Sequence, residues 1–334
     1  LKTFFSPQMA DTLCVSSGTA AIKVALKALG VGRGDQVITQ AFNFIATVEA
    51  IVDTGAKVIF SDIDDTLNMS AKSLESLITK KTKAIIPVHM LGVPADMISI
   101  NRIGKGNKIP VIEDACEAIG AKVASKYVGG LSEFGVFSFD FGKMITTGEG
   151  GALFAKRKSD GKNARMYHDH GHKNIPNLPR GLDRAGMVGF NYRMTEISGA
   201  FGKVQLEKFP RILRESKKRY RTLEKYIKHN DIKFRTVNKG NEPNYDTFVI
   251  SIENKKLRNQ VISLLHKTGF GTKNLPDAFN WHCAYFWEHF DKNIRNKEVT
   301  SCYDRLLNCV AIPILVSRPI IDYKNIASYI NECS

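Results

Sequence analysis

Two hydrophobic periods alternate along the first third of the chain. Short apolar runs at 37–39, 57–61, 83–88 and 109–113 read as buried strands, while 19–29, 44–53, 72–79 and 96–104 repeat apolar residues at helical spacing. In 19–29 the apolar positions are Ile22, Val24, Ala25, Leu26 and Leu29, and Gly30 closes the helix. Strand following helix following strand predicts a parallel sheet covered by helices on both faces. Further strands read at 134–139 and 151–155, and then 157–184, polar and holding Pro176 and Pro179, reads as a long loop. From about 214 a long helix leads into a smaller segment with a strand at 246–252 and a helix at 257–267. The pattern predicts an α/β protein with a large domain over 1–213 and a small one over 214–334.

The densest candidate chemistry lies between the strands at 134–139 and 151–155. Ser138 ends a strand, Lys143 follows, and Thr146-Thr147-Gly148-Glu149-Gly150-Gly151 turns the chain into the next strand. A serine hydroxyl can hold an anion while a lysine amine bonds a carbonyl, and pyridoxal 5′-phosphate is the ligand that needs both. Taken alone, Lys143 also fits an ordinary surface lysine. A phosphate-binding P-loop does not fit, because Gly135 and Gly142 are too far apart and Met144 stands where Ser or Thr is required. Ser16-Ser17-Gly18-Thr19 opens a helix, either as a simple cap or as an anion site built on free N–H groups. The strand ending in Glu113-Asp114 puts Asp114 either where a ligand gathers at a sheet edge or at a helix cap before 115–121. At the sheet edge its carboxylate would keep a pyridine nitrogen protonated.

Ser17-Gly18-Thr19-Ala20-Ala21, Glu113-Asp114-Ala115, Ser138 with Lys143 and 146–151, and Gly189-Phe190-Asn191-Tyr192-Arg193-Met194-Thr195-Glu196 occur in this order. Together they resemble the DegT family of pyridoxal phosphate-dependent sugar aminotransferases, over nearly the whole chain. The resemblance implies fold type I, the aspartate aminotransferase-like architecture, with a mainly parallel large domain and a smaller C-terminal α/β domain. It implies that Lys143 bonds the cofactor and serves as catalytic acid and base. Asp114 is implied as the partner of the pyridine nitrogen, Gly18, Thr19 and Ser138 as holders of the phosphate, and Phe44 as the ring platform. Phe44 by itself reads more readily as core than as a platform. Glu117 stands where many members have Gln or His near the cofactor hydroxyl, a departure from the pattern. Asn191 is implied to reach the phosphate of a neighbouring subunit, hence a homodimer with shared active sites. The family's longer leading segment implies further residues ahead of Leu1.

The substrate is less legible. The loop 168–179 and Phe279-Asn280-Trp281-His282-Cys283 with Phe286-Trp287 resemble the branch that forms 8-amino-3,8-dideoxy-manno-octulosonate, with L-glutamate as donor. The competing expectations are a nucleotide-sugar 3- or 4-aminotransferase of O-antigen synthesis and a non-catalytic cofactor-binding regulator. Relatives that dehydrate sugars carry a histidine where Lys143 stands. Candidate substrate contacts are His168, His170, Arg180, Trp281 and His282; Arg180 and Arg184 fit either bidentate carboxylate pairing or surface ion pairs. Three alternating histidines, His168, His170 and His172, invite a metal, but no partner ligands stand at familiar spacing, so none is expected.

Composition narrows the setting. The 334 residues are 43% hydrophobic, enough for one large core and a smaller one. No apolar run nears the roughly 20 residues that span a bilayer, and no signal-peptide pattern opens the chain. Six cysteines without a C-x-x-C pair suit a reducing cytoplasm. The net charge of +15 is dispersed, so a nucleic-acid partner is not expected, whereas an anionic substrate would be drawn in. The basic run 211–221 reads as a solvated helix face.

Overall fold

The computed structural model describes Leu1, Phe5, Ser6 and residues 8–334. Lys2, Thr3, Phe4 and Pro7, part of the stretch read as lacking a signal peptide, lie outside the described residues. The first half runs β1 (Asp11–Val15), α1 (Gly18–Ala28), β2 (Gln36–Gln40), α2 (Ile45–Asp53), β3 (Lys57–Ser61), α3 (Ala71–Leu77), β4 (Thr82–Ile86), α4 (Met97–Gly106) and β5 (Ile112–Asp114). Two short ribbons, β6 (Lys122–Val123) and β7 (Lys126–Tyr127), precede β8 (Phe134–Ser138) and β9 (Gly151–Ala155).

Bridges Ile85–Val111 and Val88–Asp114 join two smaller sheets into one, in the order β3-β2-β4-β5-β8-β9-β1. The pairings β2–β3, β2–β4 and β5–β8 are parallel, and β9 runs antiparallel to both β8 and β1. Both faces are buried, as a parallel sheet under helices requires. The alternation is visible residue by residue: Val37, Val136 and Leu153 enter one core with α1, while Ile38, Phe137 and Phe154 enter the other with Ile100 of α4.

The second half corrects two expectations. The loop read at 157–184 begins with a helix, α5 (Lys158–His168), whose buried side is Asp160, Gly161, Ala164, Tyr167 and His168. Small and polar residues on that side left no apolar period to read. The long helix α6 runs Glu196–Tyr226, so it begins well before 214, and position 213 falls inside it. Thr195 caps it by accepting the Ser198 N–H at 3.2 Å, and it continues through Gly199, Gly202 and Pro210, which on propensity argue against a helix.

The C-terminal elements are β10 (Ile232–Phe234), β11 (Asn241–Glu242), β12 (Thr247–Ile252), α7 (Lys255–Lys267), α8 (Phe279–His282), α9 (Lys297–Leu306), β13 (Cys309–Pro313) and α10 (Ile320–Asn331). β10, β12 and β13 form an antiparallel sheet. Leu257, Val261 and Leu265 of α7, at i, i+4, i+8, pack on it with Tyr323, Ile326 and Ile330 of α10. A further core joins the two regions, setting Phe42, Ile45, Val88 and Leu91 against Val249, Leu275, Trp287 and Cys302. The half-buried Arg235 guanidinium strengthens the join by donating to the carbonyls of Thr66 at 2.6 Å and Met90 at 2.8 Å. Among the described residues no helix is long and apolar enough to cross a membrane.

Candidate active site

A cavity of about 250 Å³ opens at the carboxyl ends of β5 and β8, where open α/β sheets gather ligands. Its lining includes Gly18, Thr19, Phe44, Asp114, Glu117, Ser138 and Lys143. Parallel pairing of β5 with β8 puts Asp114 beside Val136, two residues short of Ser138. In the next strand Gly151 pairs with both Ser138 and Val15. A Cβ on Gly151 would sit 2.4 Å from the Ser17 carbonyl oxygen, so glycine lets the start of α1 come up against the end of β8. Gly18 makes the same contact from the other side: a Cβ there would lie 2.9 Å from Ser138 Cβ and 3.0 Å from Cys116 Sγ.

This close approach sets the start of α1 against Ser138. Ser17 is the cap, its hydroxyl accepting the Ala20 N–H at 3.1 Å, and it also lines the cavity. The first N–H groups of α1 have no acceptors within the helix and carry its positive end.

Asp114 is buried and no helix follows it, which removes the capping alternative. Thr47 Oγ1 donates to Asp114 Oδ2 at 2.8 Å, and the Cys116 N–H donates to Oδ1 at 3.1 Å. Sequence pattern alone does not mark Thr47. It lies one turn beyond Phe44 on α2, and that spacing was the available signal. Glu113, the other carboxylate of the strand end, faces away and accepts the N–H groups of Gly129 at 2.7 Å and Leu131 at 2.6 Å. Phe44 is 44% exposed and lines the cavity, so it is not a core residue. Its ring packs on His282 with centroids 5.3 Å apart. The His282 Nδ1–H donates to the Ala278 carbonyl at 2.8 Å, and burial holds the ring's pKa below its ordinary value.

Lys143 reaches into this cavity, its Nζ lying 3.9 Å from Glu117 Oε1. Burial opposes its charge, but Glu117, Cys116, Asp140 and Asp114 together raise the amine's pKa above the ordinary lysine value. Burial also opposes the Glu117 charge, and Lys143, His282, Lys273 and the Leu91 N–H outweigh it, holding this carboxyl at about 2.

The remaining expected residues lie elsewhere. His168 is buried, its Nδ1 2.7 Å from the Arg165 carbonyl, and burial lowers its pKa. His170 is exposed, and Arg180 pairs with Asp169, which also holds Arg193. Trp281 is 59% exposed beside His282, whereas Trp287 is core, its indole N–H donating to the Asn280 carbonyl at 2.8 Å. Asn191 is exposed and lies outside the cavity of its own chain, its Oδ1 accepting the Arg193 N–H at 3.3 Å. Among the described residues no cluster of three or more His, Cys, Asp or Glu side chains offers a metal site.

Residues 5–318 match the DegT/DnrJ/EryC1/StrS aminotransferase family. The chain belongs to that family. The donor set fits pyridoxal 5′-phosphate: an amine for its carbonyl, a carboxylate for its ring nitrogen, an aromatic face, and a helix start with Ser138 for its phosphate. GDP-perosamine synthase of Escherichia coli O157:H7 is 41% identical over 202 residues, covering 58% of this chain and 52% of the relative. A pleiotropic regulatory protein of Geobacillus stearothermophilus is 40% identical over 205 residues, covering 61% and 52%. The chain thus spans about half the length of the curated relatives it matches. An aminotransferase from Psychrobacter cryohalolentis superposes with a TM-score of 0.86 at 24% identity over 97% of this chain and 87% of its own, and so shares the fold. These relatives support the family and the fold type I architecture; none of them is named for the octulosonate branch suggested by the 168–179 loop and the tryptophan segment.

Proposed function

We propose that this family member moves an amino group from an amino acid, L-glutamate, to the keto group of a nucleotide-linked sugar destined for a cell-surface polysaccharide or lipopolysaccharide. The observation that carries the transfer chemistry is the convergence of Lys143, Asp114, Phe44, Gly18, Thr19 and Ser138 on one cavity. Pyridoxal phosphate, when bound there, supplies the electron sink; the chain supplies placement and proton transfer. Lys143 holds and moves the proton, Asp114 keeps the ring nitrogen charged, and the start of α1 with Ser138 fixes the phosphate. Identity to a GDP-perosamine synthase favours a 3- or 4-keto nucleotide sugar over the free octulosonate acid. The net charge of +15 draws in the phosphorylated acceptor and the dicarboxylate donor. His282, whose ring packs on Phe44, and the exposed Trp281 next to it in sequence are the side chains we assign to the sugar. Six free cysteines fit work in a reducing cytoplasm.

Formation of 2-oxoglutarate from L-glutamate is the test, measured with keto nucleotide sugars and with the oxidised octulosonate as separate acceptors. Turnover with a nucleotide sugar is expected. Turnover with the octulosonate alone would restore that acceptor. Failure of the cofactor-loaded protein to accept an amino group from any donor would favour a regulatory role, the one named for the Geobacillus relative.

We also propose a homodimer with shared sites. Val188, Phe190, Ile197 and Phe201 are exposed apolar residues flanking Asn191, a patch that a monomer would leave wet. Asn191 then completes the phosphate site of the other subunit. Lys143→Ala and Asn191→Ala lie on different halves of each composite site, so mixing the two inactive variants is expected to restore part of the activity through heterodimers with one intact site. Asn191→Ala must first prove impaired by itself, since one phosphate hydrogen bond contributes about 1–3 kcal/mol. A fully active monomer in sedimentation, or no rescue after demonstrated subunit exchange, overturns the shared site.

A further inference from the structure

Glu117 is buried in the turn after β5, and two C-terminal asparagines grip it. The Asn274 amide donates to its Oε1 at 3.1 Å, and the Asn244 amide donates to its backbone carbonyl at 2.9 Å. From the large domain the Leu91 N–H donates to Oε2 at 2.9 Å. Leu91 adopts a left-handed φ of 51°, and the adjoining Met90 carbonyl accepts from Arg235. The carboxylate is therefore held by two neutral donors and its backbone by a third, and Lys143 Nζ lies 3.9 Å from its Oε1. A buried carboxylate already satisfied by neutral donors has no need of the lysine for hydrogen bonding, so what remains between them is a charge interaction at low dielectric.

We propose that Glu117 is a positioning residue, a carboxylate aimed by Asn274 of the C-terminal segment that holds the proton on the Lys143 nitrogen. The inference rests on the reading of Lys143 as the cofactor-bonding lysine. It makes the proton affinity of that nitrogen depend on the seating of the C-terminal segment, through one amide. The other ionisable groups around Lys143 are Asp114, Asp140 and the Cys116 thiol, and those around Glu117 are His282, Lys273, Arg235 and the same thiol. Lys273 is itself paired with Asp246, and His282 is held low by burial, so Lys143 is the cation that answers Glu117 most directly. The sign follows: an anion beside the amine raises its pKa, and removing that anion lowers it.

Competitive acetylation of the cofactor-free protein across pH, with the Lys143 peptide read by mass spectrometry, measures the amine directly. Wild type is expected to titrate above the free-lysine value of about 10.4. Glu117→Gln keeps the shape and the Leu91 contact, and is expected to lower the midpoint by about one to three units. Asn274→Ala leaves the charge but not its aim, and is expected to shift the midpoint the same way by a smaller amount. In the loaded protein the pH midpoint of the visible absorption band is expected to fall in the same order. A Glu117→Gln midpoint equal to wild type overturns the proposal, and an unmoved Asn274→Ala midpoint overturns the aiming role, also where Glu117→Gln does not fold. Borohydride reduction that fixes the cofactor to a lysine other than Lys143 overturns the underlying reading instead, so the two failures are distinct.

Discussion

Lys143→Ala is expected to lower turnover by at least about 10⁴-fold, the upper range for losing a positioned acid and base, before its bonding role is counted. No other lysine lines the cavity among the described residues, so nothing nearby can take over. The fold is expected to survive, because Glu117 keeps the Leu91 and Asn274 hydrogen bonds when its lysine is gone. Lys143→Arg sharpens the test. Arginine restores the positive charge beside Glu117 but does not release a proton near neutral pH, so it is expected to be as inactive as alanine. Single-turnover kinetics with L-glutamate and peptide mapping after borohydride reduction measure the two roles separately. An arginine variant with substantial activity would show that charge alone, not the amine's chemistry, is what the site requires.

Asp114→Asn is expected to slow the half-reaction with L-glutamate by roughly two or more decades, about a few kcal/mol of barrier. The substitution is nearly isosteric, and Thr47 and Cys116 still offer a hydroxyl and an N–H to hold the amide in place. What is lost is the negative charge that favours a protonated ring nitrogen in a buried site. Absorbance followed in stopped flow at saturating cofactor separates this loss from weaker cofactor binding. A half-reaction rate near wild type under those conditions would sink the assignment. Thr47→Val adds a graded comparison, since it leaves the charge and removes one hydrogen bond.

Part of the site was legible because its residues sit where local pattern changes. Lys143 and Ser138 bracket the turn between two strands, Asp114 ends a third, and Ser17-Gly18-Thr19 starts a helix. Other members were hidden because they meet the site from far along the chain. Asn274 reaches Glu117 across 157 residues and Thr47 reaches Asp114 across 67, distances at which no spacing rule operates. The same limit misplaced the start of α6, where Gly199, Gly202 and Pro210 speak locally against a helix that tertiary context sustains. It also concealed α5, whose buried side is small and polar.

Chain pattern by itself determined the alternation of strand and helix, the burial of both sheet faces, and the amine, carboxylate and hydroxyl candidates. Those follow from periods of two and 3.6 and from side-chain chemistry, which are local properties. Only the tertiary structure decided that Phe44 is a cavity wall and Trp287 core, that Glu113 turns from the site while Asp114 faces it, and that Asn191 stays outside its own chain's cavity. It alone decided that Glu117 lies charged against Lys143. Strand register, the missing side chains of Gly18 and Gly151, and the packing of C-terminal residues on the turn at 90–92 set those distances, and each depends on contacts between segments that no local rule brings together.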